Sequence, residues 1–144
     1  VSLQTRITAL AQAVGADVKA LLAAIGTKVA ASGGTASGLT LANGYTEGVF
    51  AVTGTAPALS PSNGTIQTWA LTANSTPTAG TWASGQSISL MVDDGTARTI
   101  NWTALAPVWI TGGGTPPILK ATGYTPILLW KIGSVLYAAR PGDA

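Results

Sequence analysis

Between positions 3 and 29 the aliphatic residues Leu3, Ile7, Leu10, Val14, Val18, Leu21, Ile25 and Val29 recur at intervals of three and four. That spacing places all of them on one side of an α-helix. Leu3, Val14 and Ile25 are separated by steps of 11, so the seam stays on one side of a straight or slightly right-handed bundle. A strict seven-residue repeat fails, because it would bring Asp17 and Lys28 into the seam. An isolated helix of this length is marginal in water and needs its apolar stripe covered. Either the chain's own remaining body or identical helices from other copies supply the cover. The Gly33-Gly34 break and the polar stretch from Thr35 to Gly38 read as a joint, which favours other copies. Gly15 opposes a long straight rod, at a cost of about 1 kcal/mol relative to alanine.

After Ala31-Ser32-Gly33-Gly34 the pattern changes to short apolar runs between Thr, Gly, Ser, Asn and Pro. It predicts strands near Gly48 to Thr53, Thr65 to Thr72, Gln86 to Val92, Ala97 to Trp102, Val108 to Thr111, Thr125 to Ile132 and Val135 to Ala139. Gly133-Ser134 reads as a two-residue hairpin turn, and Asp94-Gly95 as another, joining the strands on either side. Asn43-Gly44 and Asn63-Gly64 are further turn formers, and Thr111 to Pro117 reads as a connector. The expected class is mainly β with one N-terminal α-helix. Residues 1–31 form an oligomerisation helix, 32–47 a linker and 48–144 a β-rich head.

Composition sharpens this picture. Charged residues are only 8% of the 144-residue chain while hydrophobic residues reach 47%, which argues against disorder and for a surface packed against copies or another assembly. The seven basic residues are scattered, so no patch follows a phosphate backbone and nucleic acid is not an expected partner. The uncharged stretch from Gly48 to Val92 is too polar to span a bilayer, and the amphipathic N-terminus is unlike a signal peptide; no membrane insertion is expected. There is no cysteine, so no disulfide framework forms, and the chain suits assembly in a reducing cytoplasm.

Catalytic chemistry is sparse. Histidine is absent, which removes the commonest general base, and with no cysteine no zinc site is expected. Asp93 and Asp94 could in principle form a glycosidase pair or a calcium site, but adjacent carboxylates in extended chain diverge and the turn reading is the stronger one. The expectation is a non-enzyme without cofactor or metal. The aromatics offer binding instead. Trp69 and Trp130 lie in mid-strand and are expected in the core or at a subunit interface. Trp82 and Trp109 stand beside loops and Tyr124 follows Gly123, so these three are the candidates for an exposed site that stacks on a sugar ring.

The segment from Ser2 to Leu21 resembles the short N-terminal helix of tailed-bacteriophage fibre proteins. The stretches Gly64-Thr65-Ile66-Gln67-Thr68-Trp69-Ala70-Leu71-Thr72, Ser87 to Gly95 and Leu129 to Tyr137 resemble the β-rich C-terminal modules of the same fibres. Together they cover about a third of the chain. The resemblance implies a virion protein assembled in the bacterial cytoplasm: a homotrimer with a coiled-coil-like helical bundle and a small antiparallel β-sandwich or barrel-like head. As a short tail fibre or spike it would bind host surface polysaccharide through that head. With no extended shaft, the chain is also compatible with a capsid head fibre, a decoration protein or a tail adaptor held by other tail or capsid proteins. A polysaccharide depolymerase is the third reading, opposed by the shortage of carboxylates.

Overall fold

In the computed structural model the described residues are 1–28, 42–93, 98–110 and 112–142. Val29, the Gly33-Gly34 break and the Asp94-Gly95 turn lie outside them. The chain divides into two compact units, Val1–Tyr45 and Thr46–Ala144.

The first unit contains α1, Leu3–Lys28. Its start is set by Ser2, whose hydroxyl accepts from the Thr5 backbone N–H at 3.2 Å while its carbonyl accepts from Arg6 N. This satisfies donors that the first turn leaves free. The 26 residues run through Gly15 without interruption, a length of about 39 Å. Propensity at one glycine is outweighed by the good helix formers around it.

The second unit is built on a six-stranded mixed sheet in the order β1-β3-β5-β7-β8-β6. Its strands are β1 (Val49–Val52), β3 (Ile66–Ala70), β5 (Ser87–Asp93), β6 (Val108–Trp109), β7 (Tyr124–Ile132) and β8 (Val135–Ala139). A second, two-stranded parallel sheet pairs β2 (Ala58–Leu59) with β4 (Thr78–Ala79). The fold is therefore mainly β with one N-terminal helix. The large sheet departs from the antiparallel expectation: β1–β3, β3–β5 and β6–β8 are parallel, and only β5–β7 and β7–β8 are antiparallel. Alternation along a strand fixes which face is buried but not the direction of its neighbour.

Register aligns the buried side chains into rows across one face. Val52, Trp69, Val92 and Thr125 are successive partners, as are Gln67, Leu90 and Ile127, and Ile88, Leu129, Ala138 and Trp109. Leu59 from the small sheet and Trp82, Trp102 and Leu105 from the loops complete one apolar core on this side. Each fully buried Leu, Ile or Val contributes about 1.5–3 kcal/mol. Among the polar residues buried with it, Gln67 and Thr125 are fully enclosed. Thr125 accepts from Lys120 N at 2.8 Å, and Gln67 donates through Nε2 to the carbonyls of Ser60 and Gly64. Gln67 thereby fastens the 3-10 turn Pro61–Asn63 to the sheet.

The described residues that follow β5, from Arg98 on, do not pair with it. β5 is flanked by β3 and β7, so both of its hydrogen-bonding edges are taken. The segment after it instead bridges Ser75 at Ile100, with Ser75 N donating to Thr99 O and Asn101 N to Ser75 O. The Gly133-Ser134 turn forms as expected, closing β7 on β8 with Gly133 at φ 60°.

Candidate functional site: a groove on the head and two uncovered apolar surfaces

Past Leu129 on β7 and Ala138 on β8, the core-facing side chains are Lys131 and Leu136. There the sheet runs out from under the core and leaves a groove of about 400 Å³. Trp82, Leu105, Ala106, Lys131 and Leu136 form its walls. The indole Nε1 of Trp82 donates to Leu59 O at 2.8 Å, and the same carbonyl accepts from Gly80 N at 2.8 Å. Lys131 Nζ donates to Trp82 O at 3.2 Å, which holds the one charged side chain lining the groove among the described residues against the indole's own backbone. Two further N–H bonds of that ammonium are free for other acceptors by count.

Two backbone features shape the walls. Gly80 sits where a Cβ would lie 2.7 Å from Ser60 Cβ, so only glycine lets β4 run this close to β2. Ala106 has φ 48°, unusual for a residue with a side chain, with its N–H donating to Trp102 O at 2.7 Å. A mostly apolar concavity of this size with a few fixed polar groups has the build of a small-ligand site.

The three aromatic candidates do not form one site. Trp82 is nearly buried but contributes to the groove wall. Trp109 is a core residue, 5.3 Å edge-on from Trp102, and presents no free face. Tyr124 is 46% exposed and pairs with Asp93 at the opposite end of β7 from Lys131, about 23 Å along the strand. Adjacency to loops misled the reading of both tryptophans: a body rich in small polar residues fills its centre with its largest side chains, wherever they fall. Lys131 and Ala106 were missed, and no spacing in the sequence marks them. A second hollow of about 250 Å³ lies beside Arg98, Trp102 and Pro117. Among the described residues no three metal-binding side chains gather at one place.

Among the described residues, exposed apolar side chains gather on two surfaces. Along α1 the stripe residues Leu3, Ile7, Leu10, Val14, Val18, Leu21 and Ile25 are each 51–74% exposed. The segment Leu3–Ile25 is also long and apolar enough to cross a membrane, with mean hydropathy 1.4. On the head, the face of the large sheet opposite the core carries Met91, Leu128, Trp130, Tyr137, Val108 and Val135. Comparison with protein-family models, curated proteins and solved structures finds no match for this chain.

Proposed function

We propose that the protein is a non-enzymatic structural component of a bacteriophage virion, a short fibre or spike in which α1 gathers three copies and the β-head meets host surface polysaccharide. The observation that carries the reading is the seven-residue aliphatic stripe, exposed along its whole described length in the single chain. Such an exposed aliphatic stripe is stabilised when sister helices cover it, and its 11-residue step suits a straight bundle. The resemblance of the helix and of three strand segments to phage fibres supplies the virion setting. Within the head, the groove between Trp82 and Lys131 is the place for a sugar: an indole edge, apolar walls and one cation with spare donors.

A second reading has its own support, since Leu3–Ile25 could serve as a single membrane-crossing helix. Asp17 and Lys19 oppose it, because each charge near the centre of such a span costs about 2.5–3.5 kcal/mol on insertion scales. One experiment separates the two. Purified phage particles are probed with an antibody to the head while the purified chain is floated with anionic and neutral lipid vesicles. Labelled particles and a chain that stays at the bottom of the gradient support the virion role; flotation with unlabelled particles overturns it.

A further inference from the structure

Lys131 enters the groove with no negative charge among the described residues to meet it. Its side chain is half-buried, and Nζ is fixed by its bond to the Trp82 carbonyl. None of the other described residues that line the groove is acidic. Of the described carboxylates in the head, Glu47 accepts from the Thr65 hydroxyl, and Asp93 stands opposite Tyr124 at the far end of β7. Drawing an ammonium out of water is costly unless an opposite charge replaces the solvent, and the two charges attract more strongly where apolar walls keep water away. Leu105, Ala106 and Leu136 supply such walls.

We infer that the groove takes an acidic sugar, a hexuronate whose single carboxylate rests on Lys131 Nζ. The inference rests on the saccharide reading above and narrows it to a ligand class. Beyond the N–H given to Trp82 O, the ammonium keeps donors that a carboxylate accepts from, and such charge-assisted bonds are roughly twice as strong as neutral ones. A neutral sugar offers only hydroxyl oxygens and leaves the cation uncompensated. A phosphate asks for more donors, typically a run of free backbone N–H groups. Here the N–H groups of Gly80, Ala106 and Lys131 are already given to Leu59 O, Trp102 O and Gln86 O. The remaining walls suit the C–H face of a pyranose ring, and Ser134 adds an exposed hydroxyl to the lining. At about 400 Å³ the groove lies near the lower end of the roughly 300–1,000 Å³ usual for ligand pockets, which suits a short saccharide.

Calorimetric titration of the full-length chain tests this with D-glucuronate and D-galacturonate, their neutral counterparts D-glucose and D-galactose, and acetate and inorganic phosphate as plain anions. At least one uronate is expected to bind about tenfold or more tightly than its neutral counterpart and than either plain anion. This comparison needs no substitution, so it stands whatever a variant does to folding. Lys131→Gln is expected to bring the uronate down to the affinity of the neutral sugar, with circular dichroism unchanged. Lys131→Arg should keep the preference, and so should Lys120→Gln, which removes the same charge from an exposed position outside the groove. Equal affinity for uronates and neutral sugars overturns the inference and leaves the saccharide reading standing. A preference that survives in K131Q overturns it by placing the carboxylate elsewhere. Acetate or phosphate binding as tightly as the uronates overturns it in favour of a plain anion site. No binding of any of the four sugars overturns this inference and the saccharide reading together.

Discussion

Trp82 and Leu59 are joined by an indole N–H to carbonyl hydrogen bond of 2.8 Å, 23 positions apart in sequence. The bond attaches the groove wall to the small sheet, so the cavity's shape depends on how closely β2 and β4 approach. Gly80 sets that approach.

Gly80→Ala is therefore expected to harm both stability and the groove. The added carbon would meet Ser60 Cβ at 2.7 Å and Leu59 O at 3.0 Å, and relieving such overlap typically costs about 1–3 kcal/mol. A lower urea midpoint, with a red-shifted tryptophan emission as Trp82 becomes wetter, is the expected result. A midpoint equal to that of the parent would show that β4 yields freely.

Gln67→Glu tests the buried amide. Gln67 is fully buried, and its Nε2 approaches two carbonyl oxygens at 2.6 and 3.0 Å. A carboxylate there would face those oxygens without donors, so burial and repulsion would raise its folded-state pKa above the unfolded value. The folded state then holds a proton that the unfolded state has lost. Stability is thus highest below about pH 4 and declines as pH rises, by about 1.4 kcal/mol per unit until the folded pKa is reached. Denaturation of the variant at pH 4 and pH 7 checks the sign; the parent glutamine should show no corresponding loss.

Val14→Asp or Leu21→Asp puts a charge in the middle of the exposed stripe. Neither residue has a partner to lose within its own helix seam, so the isolated chain should fold as before. The expected outcome is a lower mass by light scattering at micromolar concentration. A mass unchanged by both substitutions would remove α1 from the assembly.

Gly15→Ala should act in the opposite direction. A Cβ at Gly15 meets nothing within 4 Å, and alanine is better than glycine in a helix interior by about 1 kcal/mol. Far-ultraviolet circular dichroism should show α1 melting at a higher temperature. A loss of helicity would mean that the position lies in a close contact between copies, where a methyl group does not fit.

The local features of the fold were readable from residue patterns. The α1 stripe, the alternation in β5 and β7, and the Gly133-Ser134 turn each depend on neighbours a few positions away. β2 and β4 were not readable, because two-residue strands leave no period to detect. The segment around Ile100 looks extended and is extended, but its partner is Ser75 rather than β5, a choice made by which edges remain free. The groove was the least legible part. Lys131 continues an ordinary alternating strand, and only the end of the core beneath it turns that position into a wall. Trp82 was singled out for its place beside a loop, and it reaches the groove through a hydrogen bond to a residue far earlier in the chain.

The order of strands in the sheet also differs from their order along the polypeptide. β8 is the last of the described strands, yet it lies inside the sheet between β7 and β6, and among the described strands β6 pairs with β8 alone. During synthesis Val108 and Trp109 must wait, unpaired, until Val135–Ala139 has left the ribosome. A message cut short before that strand would release a product with the long β7 edge open, a ready template for aggregation. Prompt completion of translation thus protects this protein as much as any contact within it.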